Sequence, residues 1–331
     1  MQAVDALEAF EAFLVSALDA QRGSPVYPLL RRHFGLDEPG ARRGKRLRPR
    51  ILIAVAQAEG ALAEAAFPAA AAVEMLHNFS LIHDDIEDRD EVRHGRPTLW
   101  VENGVAAAIG AGDALCAQSY ATLLDGSRGV PAERARALAT CLFRAHYAMT
   151  LGQAYDIGFE TATAVSFDDY LRMIEGKTAA VFGASCELGA LVAGASPERA
   201  AAWGRVGRSY GIAFQIRDDV LGTWGLSAAT GKPSGADIRR RKWSFPVAWA
   251  MSGPPSADRD VVAEAYGTLS PLDDAQADRV IAALERLGAP AAADAACVRA
   301  IDEAKATACT YALDGDGSLA ALFDATAQRT V

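Results

Sequence analysis

The chain has 331 residues, of which 51% are hydrophobic and 23% charged, and its net charge is -9. That much apolar material can bury a large core, and the acidic balance excludes a general nucleic-acid binder, although local basic segments can still hold anions. The five cysteines, at positions 116, 141, 186, 297 and 309, have no metal-ligand or redox spacing and read as reduced thiols of a cytoplasmic protein.

Residues 1–8 are acidic and amphipathic, unlike a secretory signal with a basic start and an uninterrupted apolar core. Beyond them, Ala- and Leu-rich stretches at helical spacing run almost throughout, while alternating β-branched segments are nearly absent, so the expected class is all-α. Breaks rich in Gly, Pro and polar residues fall near 22–28, 37–44, 94–98, 125–131, 222–235 and 253–256; about a dozen helices would connect them. The apolar stretches 61–76 and 179–195 are interrupted by Glu64, Glu74 and Glu187, which predicts buried helices and no stable membrane insertion. No linker and no repeat of fixed period appears, so residues 1–331 are expected to form a single domain, one large helical bundle around a central cavity.

In chain order, the first candidate for chemistry is Gly44-Lys45-Arg46-Leu47-Arg48-Pro49. Its spacing places Lys45 and Arg48 on one side of a helical turn, where an ammonium and a guanidinium could share a phosphate. His77 follows on an apolar segment that ends in Asp84-Asp85-Ile86-Glu87-Asp88. On a helix Asp84 and Asp88 project from one face with Asp85 beside them, and such crowded carboxylates favour a hard divalent cation shared with substrate phosphates. Solvated acidic runs are common on helix ends, but this one closes an apolar stretch. The basic segment Arg93-His94-Gly95-Arg96-Pro97 comes next, placed to fold back over a metal-bound diphosphate.

Further on stand Lys177-Thr178, Gln215 three residues before Asp218-Asp219, the loop Gly231-Lys232-Pro233-Ser234-Gly235, and Lys242 before Pro246. Asp218-Asp219 also ends an apolar stretch, and two such acidic clusters predict the two walls of one magnesium-diphosphate site. The loop 225–237 is the segment expected to be most mobile. His83, which precedes Asp84, would suit a metal-dependent phosphohydrolase only with further histidines, and His33, His77, His94 and His146 do not provide that set; His83 is read as structural.

Together and in this order, these segments resemble the trans-isoprenyl diphosphate synthase (polyprenyl synthetase) family over residues 44–246. The pattern includes Gly-Lys-x-x-Arg-Pro at 44–49, Asp-Asp-x-x-Asp with following basic residues at 84–95, Gly152-Gln153, Lys177-Thr178, Phe214-Gln215 with Asp218-Asp219, and the Gly-Lys loop at 231–237. The resemblance implies the isoprenoid synthase type I fold, a homodimer, and a reaction in which three magnesium ions assist ionisation of an allylic diphosphate that isopentenyl diphosphate then attacks. It implies that Asp84, Asp88 and Asp218 hold the metal with Asp85 and Asp219 in support. Arg93, Lys177, Lys232 and Lys242 would contact the allylic diphosphate. Lys45, Arg48 and His77 would hold isopentenyl diphosphate, while Gln215 with Lys177 and Thr178 would stabilise the carbocation. The released diphosphate could take the final proton.

The chain departs from the pattern at His94, where many members have a second arginine, and at Gly222, where the second acidic motif lacks its last carboxylate. His94 is a weaker, pH-sensitive donor for isopentenyl diphosphate. Product length should depend on what lies below Asp84: small Ser80 one turn down, bulky Phe79 beside it, and Leu76 about 12 Å away by helix rise. That arrangement resembles the short-chain, geranylgeranyl-type members, which implies a twenty-carbon product with farnesyl and geranylfarnesyl diphosphate as neighbours. A class I terpene cyclase shares the fold, but its usual second motif starts with Asn, which this chain has only at Asn78 and Asn103. A non-catalytic partner subunit would be expected to lose acidic ligands that are present here.

Overall fold

The computed structural model describes residues 3–38, 40, 44–225, 235–311, 319 and 321. Residue contacts divide the chain into two units, one of residues 1–146, 184–204 and 313–316, the other of 147–183, 205–312 and 317–331. Among the described residues there are fifteen α-helices, one π-helical turn and a single two-stranded hairpin, which fits the all-α expectation.

The first unit contains α1 (Ala3–Asp19), α2 (Tyr27–His33), α3 (Leu47–Ala58), α4 (Ala63–Glu87), α5 (Leu99–Asn103), α6 (Val105–Gly126) and the start of α7 (Ala132–Glu160). Helices α1, α3 and α6 all pack on α4. The run Ala69-Ala70-Ala71-Ala72-Val73 on α4 is buried throughout, since short side chains let several helix axes come close to one another. Phe10, Leu14 and Leu18 recur one turn apart on α1 and are buried, with Phe10 edge-on to Phe67 at 5.9 Å between ring centres. α4 is the one helix among the described residues long and apolar enough to cross a membrane, and 67% of its most apolar window is buried inside the protein.

Beyond the acidic end of α4 lies the hairpin β1 (Val92–Arg93) and β2 (Arg96–Pro97). Its turn residues His94 and Gly95 have φ of 54° and 79°. A two-residue type I′ turn requires both to be left-handed, and His tolerates that region better than most side chains. The basic segment expected to fold back over a diphosphate is therefore a tight hairpin.

The second unit contains the remainder of α7, then α8 (Phe167–Ile174), a π-helical turn (Glu175–Ala179), the start of α9 (Ala180–Ala193) and most of α10 (Pro197–Trp224). It continues with α11 (Ala236–Arg239), α12 (Phe245–Ser252), α13 (Ala257–Tyr266), α14 (Asp274–Leu287) and α15 (Ala289–Thr310). Tyr170, Ile174, Ile216, Phe245, Tyr266 and Leu284 are among its buried core. Ser166 caps α8, and Asp273 with Gln276 forms a capping box on α14. Gly152 on α7 meets the π turn backbone to backbone: a Cβ there would lie 2.0 Å from the Lys177 nitrogen. The π turn admits one extra residue into the helical path and so resets the directions of Lys177 and Thr178.

Candidate active site

In the first unit, Lys45 and Arg48 do not share the helical turn their spacing suggests. α3 begins only at Leu47, and Arg46 before it is left-handed with φ 50°. The cause is the Arg46 guanidinium, 6% exposed, which is bonded to Glu11 at 2.6 Å and Glu74 at 2.9 Å and lies 5.6 Å from the Phe34 ring centre. With Arg46 turned inward, Lys45 is exposed and Arg48 sits half-buried on the first turn of α3.

Arg48 Nη1 lies 3.1 Å from His77 Nε2. Burial, reinforced by Arg48 and Arg93, pushes the His77 pKa well below its usual value, so the neutral ring accepts a hydrogen bond from the guanidinium and orients Arg48. Asn78, the next residue, donates to the Glu74 carboxylate at 3.0 Å and to its carbonyl at 2.8 Å, and its Oδ1 is 3.1 Å from His33 Nε2. Burial first, then Arg93, Arg96 and His94, push His33 down to about 3, which makes it a neutral donor to Asn78. A buried polar ladder from Arg46 through Glu74 and Asn78 to His33 thus underlies the basic side chains. None of these four was read from sequence as part of the site; the available signal was Glu74 and Asn78, two polar residues one turn apart in an apolar run.

Arg96 donates to the carbonyls of Arg32 at 2.8 Å and His33 at 3.1 Å, the last residues of α2, where a cation is favoured. It is committed there and does not replace the arginine missing at position 94.

Asp84 lies in the last turn of α4 and Asp88 caps it, with the Asp88 N–H donating to the Asp84 carbonyl at 2.8 Å. Both carboxylates are half-buried and stand at the negative end of the helix, which disfavours them unless a cation is near. Asp85 is instead 2% exposed, and its carboxylate accepts from Arg93 Nε at 2.6 Å. Burial outweighs Arg93 and holds the Asp85 carboxyl at about 6.

Below these acids, Ser80 Oγ donates to the His77 carbonyl at 2.8 Å and Leu76 is fully buried. The Phe79 ring stands edge-on to His83 at 4.9 Å and to His146 at 5.3 Å, and His146 Nδ1 is 2.8 Å from the Tyr120 hydroxyl. His83 packs against Gly112, where a Cβ would come within 2.3 Å of the ring, which suits the structural reading of His83.

In the second unit, Asp218 is half-buried and Asp219 is 3% exposed. The Asp219 carboxylate accepts from the Tyr170 hydroxyl at 2.7 Å, from Gln215 Nε2 at 2.8 Å and from the Phe245 N–H at 2.8 Å. The carbonyl oxygen of the Gln215 side chain accepts from Thr178 Oγ1 at 2.6 Å, so Thr178 and Gln215 belong to the same network. Lys177 Nζ donates to Asp156 Oδ2 at 2.6 Å. Burial opposes ionisation of Asp156, but Lys242 and Lys177 together hold its pKa below the usual range. Asp156 escaped the sequence reading, although it stands three residues after Gln153 as an acid that must share a helix with the motif.

A Cβ on Gly222 would lie 1.9 Å from Asp237 Oδ2. The place of the carboxylate absent from position 222 is thus filled by the side chain of Asp237 from α11. Lys232 and most of the 225–237 loop lie outside the described residues.

Among the described residues no three His, Cys, Asp or Glu side chains converge to hold a metal unaided. In the first unit the half-buried carboxylates of Asp84 and Asp88, and in the second that of Asp218, are each oxygen donors of the kind that suits magnesium, which keeps several waters and is bound through one or two carboxylates together with substrate phosphates.

The polyprenyl synthetase family model matches residues 37–284. The (2E,6E)-farnesyl diphosphate synthase of Mycobacterium tuberculosis is 42% identical over 241 residues, 71% of this chain and 66% of that protein; the match therefore spans just under two thirds of the relative's length. The geranylfarnesyl diphosphate synthase of Aeropyrum pernix is 44% identical over 234 residues, 70% of this chain and 73% of that protein. The crystal structure of geranylgeranyl pyrophosphate synthetase from Pyrococcus horikoshii Ot3 matches with a TM-score of 0.86 at 29% identity, covering 98% and 97% of the two chains. The fold is the all-α isoprenoid synthase fold. The chain belongs to the polyprenyl synthetase family.

Proposed function

We propose that the protein is a short-chain prenyltransferase that joins isopentenyl diphosphate to an allylic diphosphate (dimethylallyl, geranyl or farnesyl) and releases a longer linear diphosphate. The observation that carries this reading is the Arg48–His77 pair of the first unit, in which neutral His77 orients Arg48 about two helical turns from Asp84. A second, non-ionising diphosphate needs such a pair; a terpene cyclase, with one prenyl substrate, does not. We propose further that residues 1–331 serve as one functional domain, a reading supported by the family model's continuous match over residues 37–284.

The chemistry that three bound magnesium ions would supply is neutralisation of the departing diphosphate, which would favour cleavage of the allylic C–O bond. Asp84, Asp88 and Asp218 would hold them, while Asp85 and Asp219, each bonded within the protein, orient their neighbours. Arg93, Lys177, Lys232 and Lys242 bind the allylic diphosphate oxygens, with Lys177 held by Asp156. The Thr178–Gln215 pair and Lys177 would stabilise the developing carbocation electrostatically. Lys45, Arg48, His77 and His94 hold isopentenyl diphosphate so that its double bond attacks the carbocation left by ionisation; the released diphosphate then takes the proton whose loss restores an alkene.

Geranylgeranyl diphosphate is the proposed product, supported by Phe79 wedged between His83 and His146, a bulk that a longer tail must displace. A homodimer in the cytoplasm completes the reading. Phe143, Tyr147, Leu151 and Tyr155 form an exposed apolar stripe at four-residue spacing along α7, a surface that a second copy would cover. All five cysteines are free, in keeping with a reducing compartment.

The test is incubation of purified protein with magnesium, isopentenyl diphosphate and each allylic primer in turn, with products identified by mass spectrometry. Elongated diphosphates that require isopentenyl diphosphate are expected. Hydrocarbons or alcohols formed from one prenyl diphosphate alone would overturn the reading.

A further inference from the structure

We infer that Tyr170 is a positioning residue for the allylic half of the site, acting through Asp219. This rests on the prenyltransferase reading above.

The Tyr170 ring is fully buried, packed edge-on against Phe245 at 6.1 Å and stacked on Phe167, so its hydroxyl has one fixed direction. That hydroxyl donates to Asp219 Oδ2, which also accepts the first N–H of α12, from Phe245. Asp219 therefore supplies the capping acceptor that Ser244, the residue at the α12 N-cap, does not provide from its own side chain. The second oxygen of Asp219 takes the Gln215 amide, and the carbonyl of that amide takes the Thr178 hydroxyl. One carboxylate thus ties α8, the π turn, α10 and α12 together, and Asp218, the half-buried neighbour, is carried on the same backbone.

Of the three donors, the Phe245 N–H is fixed by the backbone and Gln215 is on the helix of Asp219 itself. Tyr170 is the one side chain from another element that sets the carboxylate plane. Removing the hydroxyl frees Asp219 to rotate, and with it the Gln215–Thr178 pair and the peptide that carries Asp218. The groups proposed for isopentenyl diphosphate, Lys45, Arg48 and His77, stand outside α8, the π turn, α10 and α12.

The test uses full-length Tyr170→Phe, which keeps the ring and its packing. Loss of one buried hydrogen bond to a charged acceptor predicts about a tenfold or greater weakening of magnesium-dependent binding of inorganic diphosphate in calorimetry. In turnover, KM for the allylic substrate should rise and kcat should fall while KM for isopentenyl diphosphate stays within twofold or so of wild type. Equal shifts in both KM values, or unchanged diphosphate binding with only a lower melting temperature, would reduce Tyr170 to packing and overturn the inference. Should Tyr170→Phe fail to fold, Asp219→Asn asks the same question by turning one acceptor oxygen into a donor. Unchanged diphosphate binding in that variant would also overturn it. If wild type shows no elongation at all, the prenyltransferase reading fails, but the calorimetric comparison still decides whether Tyr170 positions a diphosphate site.

Discussion

Replacing Gly152 by Ala sets two opposing effects of known size against each other. Gly152 lies inside the 29-residue helix α7, and an interior Gly→Ala change normally stabilises a helix by about 1 kcal/mol through propensity alone. Here the added Cβ would stand 2.0 Å from the Lys177 nitrogen and 2.7 Å from both the Gly176 carbonyl carbon and the Lys177 Cα. Ordinary carbon contacts begin near 3.5 Å, so the π turn must retreat by about 1.5 Å. All three clashing atoms are backbone and none can rotate away. Overpacking of this kind costs about 1–3 kcal/mol, which exceeds the propensity gain, so the variant should be less stable by about 1 kcal/mol, read as a lower midpoint in urea at unchanged slope. The displaced atoms belong to Lys177 and lie next to Thr178, so a shift of that size should also lower kcat by about a hundredfold. A variant stabilised by about 1 kcal/mol with full activity would refute the close approach of α7 to the π turn.

Gly222→Ala makes the matching control, since the atom in its way is the carboxylate end of Asp237; that side chain can rotate, so stability should change by less than about 0.5 kcal/mol in the same urea assay. A loss as large as that of Gly152→Ala would show that Asp237 cannot move. Arg46→Met leaves Glu74 and Glu11 without their shared cation, and removal of one partner from a buried ion pair should cost about 3–5 kcal/mol in denaturant unfolding. A loss under about 1 kcal/mol would mean that the pair is solvated. For His33 the folded pKa of about 3 lies below the unfolded value near 6.5. The unfolded chain therefore binds a proton that the folded chain refuses, and stability is lost as pH falls below about 6.5 toward 3. Between pH 7 and 5 this amounts to about 2 kcal/mol, and His33→Gln should flatten the pH dependence of the urea midpoint by that much. An unchanged slope would show that His33 titrates normally in the folded protein.

The class and most chemical segments were legible because they depend on local pattern: helical spacing for α4 and α10, and acidic doublets at the ends of apolar stretches. What was not legible depends on side chains that meet across the fold. The spacing of Lys45 and Arg48 suggested a shared turn, but the inward pull of Glu11 and Glu74 on Arg46 sets the start of α3. The π turn at Glu175–Ala179 leaves no periodic signature in five residues; its cause, the bare backbone of Gly152, lies more than twenty residues earlier. The hairpin at Arg93 to Arg96 was hidden because its turn pairs Gly with His, outside the usual Asn-Gly and Asp-Gly signals. Asp237 opposite Gly222 could not be anticipated either, since nothing in sequence distance couples two positions fifteen residues apart across a loop.

The two Asp-Asp doublets, one in each unit, divide their labour in the same way. The first carboxylate of each pair, Asp84 or Asp218, is half-buried, while the second is buried and bonded inside the protein, Asp85 to Arg93 and Asp219 to Tyr170, Gln215 and the Phe245 N–H. Two adjacent helical residues point about 100° apart, so a doublet at the edge of a helix necessarily turns one carboxylate toward the core when the other faces a ligand. A buried carboxylate is costly unless it is hydrogen-bonded, and both doublets meet that cost with donors from segments that carry other proposed substrate contacts. In the first unit the donor is Arg93; in the second it is the network that includes Gln215 and Thr178. The buried member of each doublet therefore fixes the position of its neighbour relative to the groups proposed to act with it, which gives a physical reason for two consecutive acids where a single one would suffice as the proposed metal ligand.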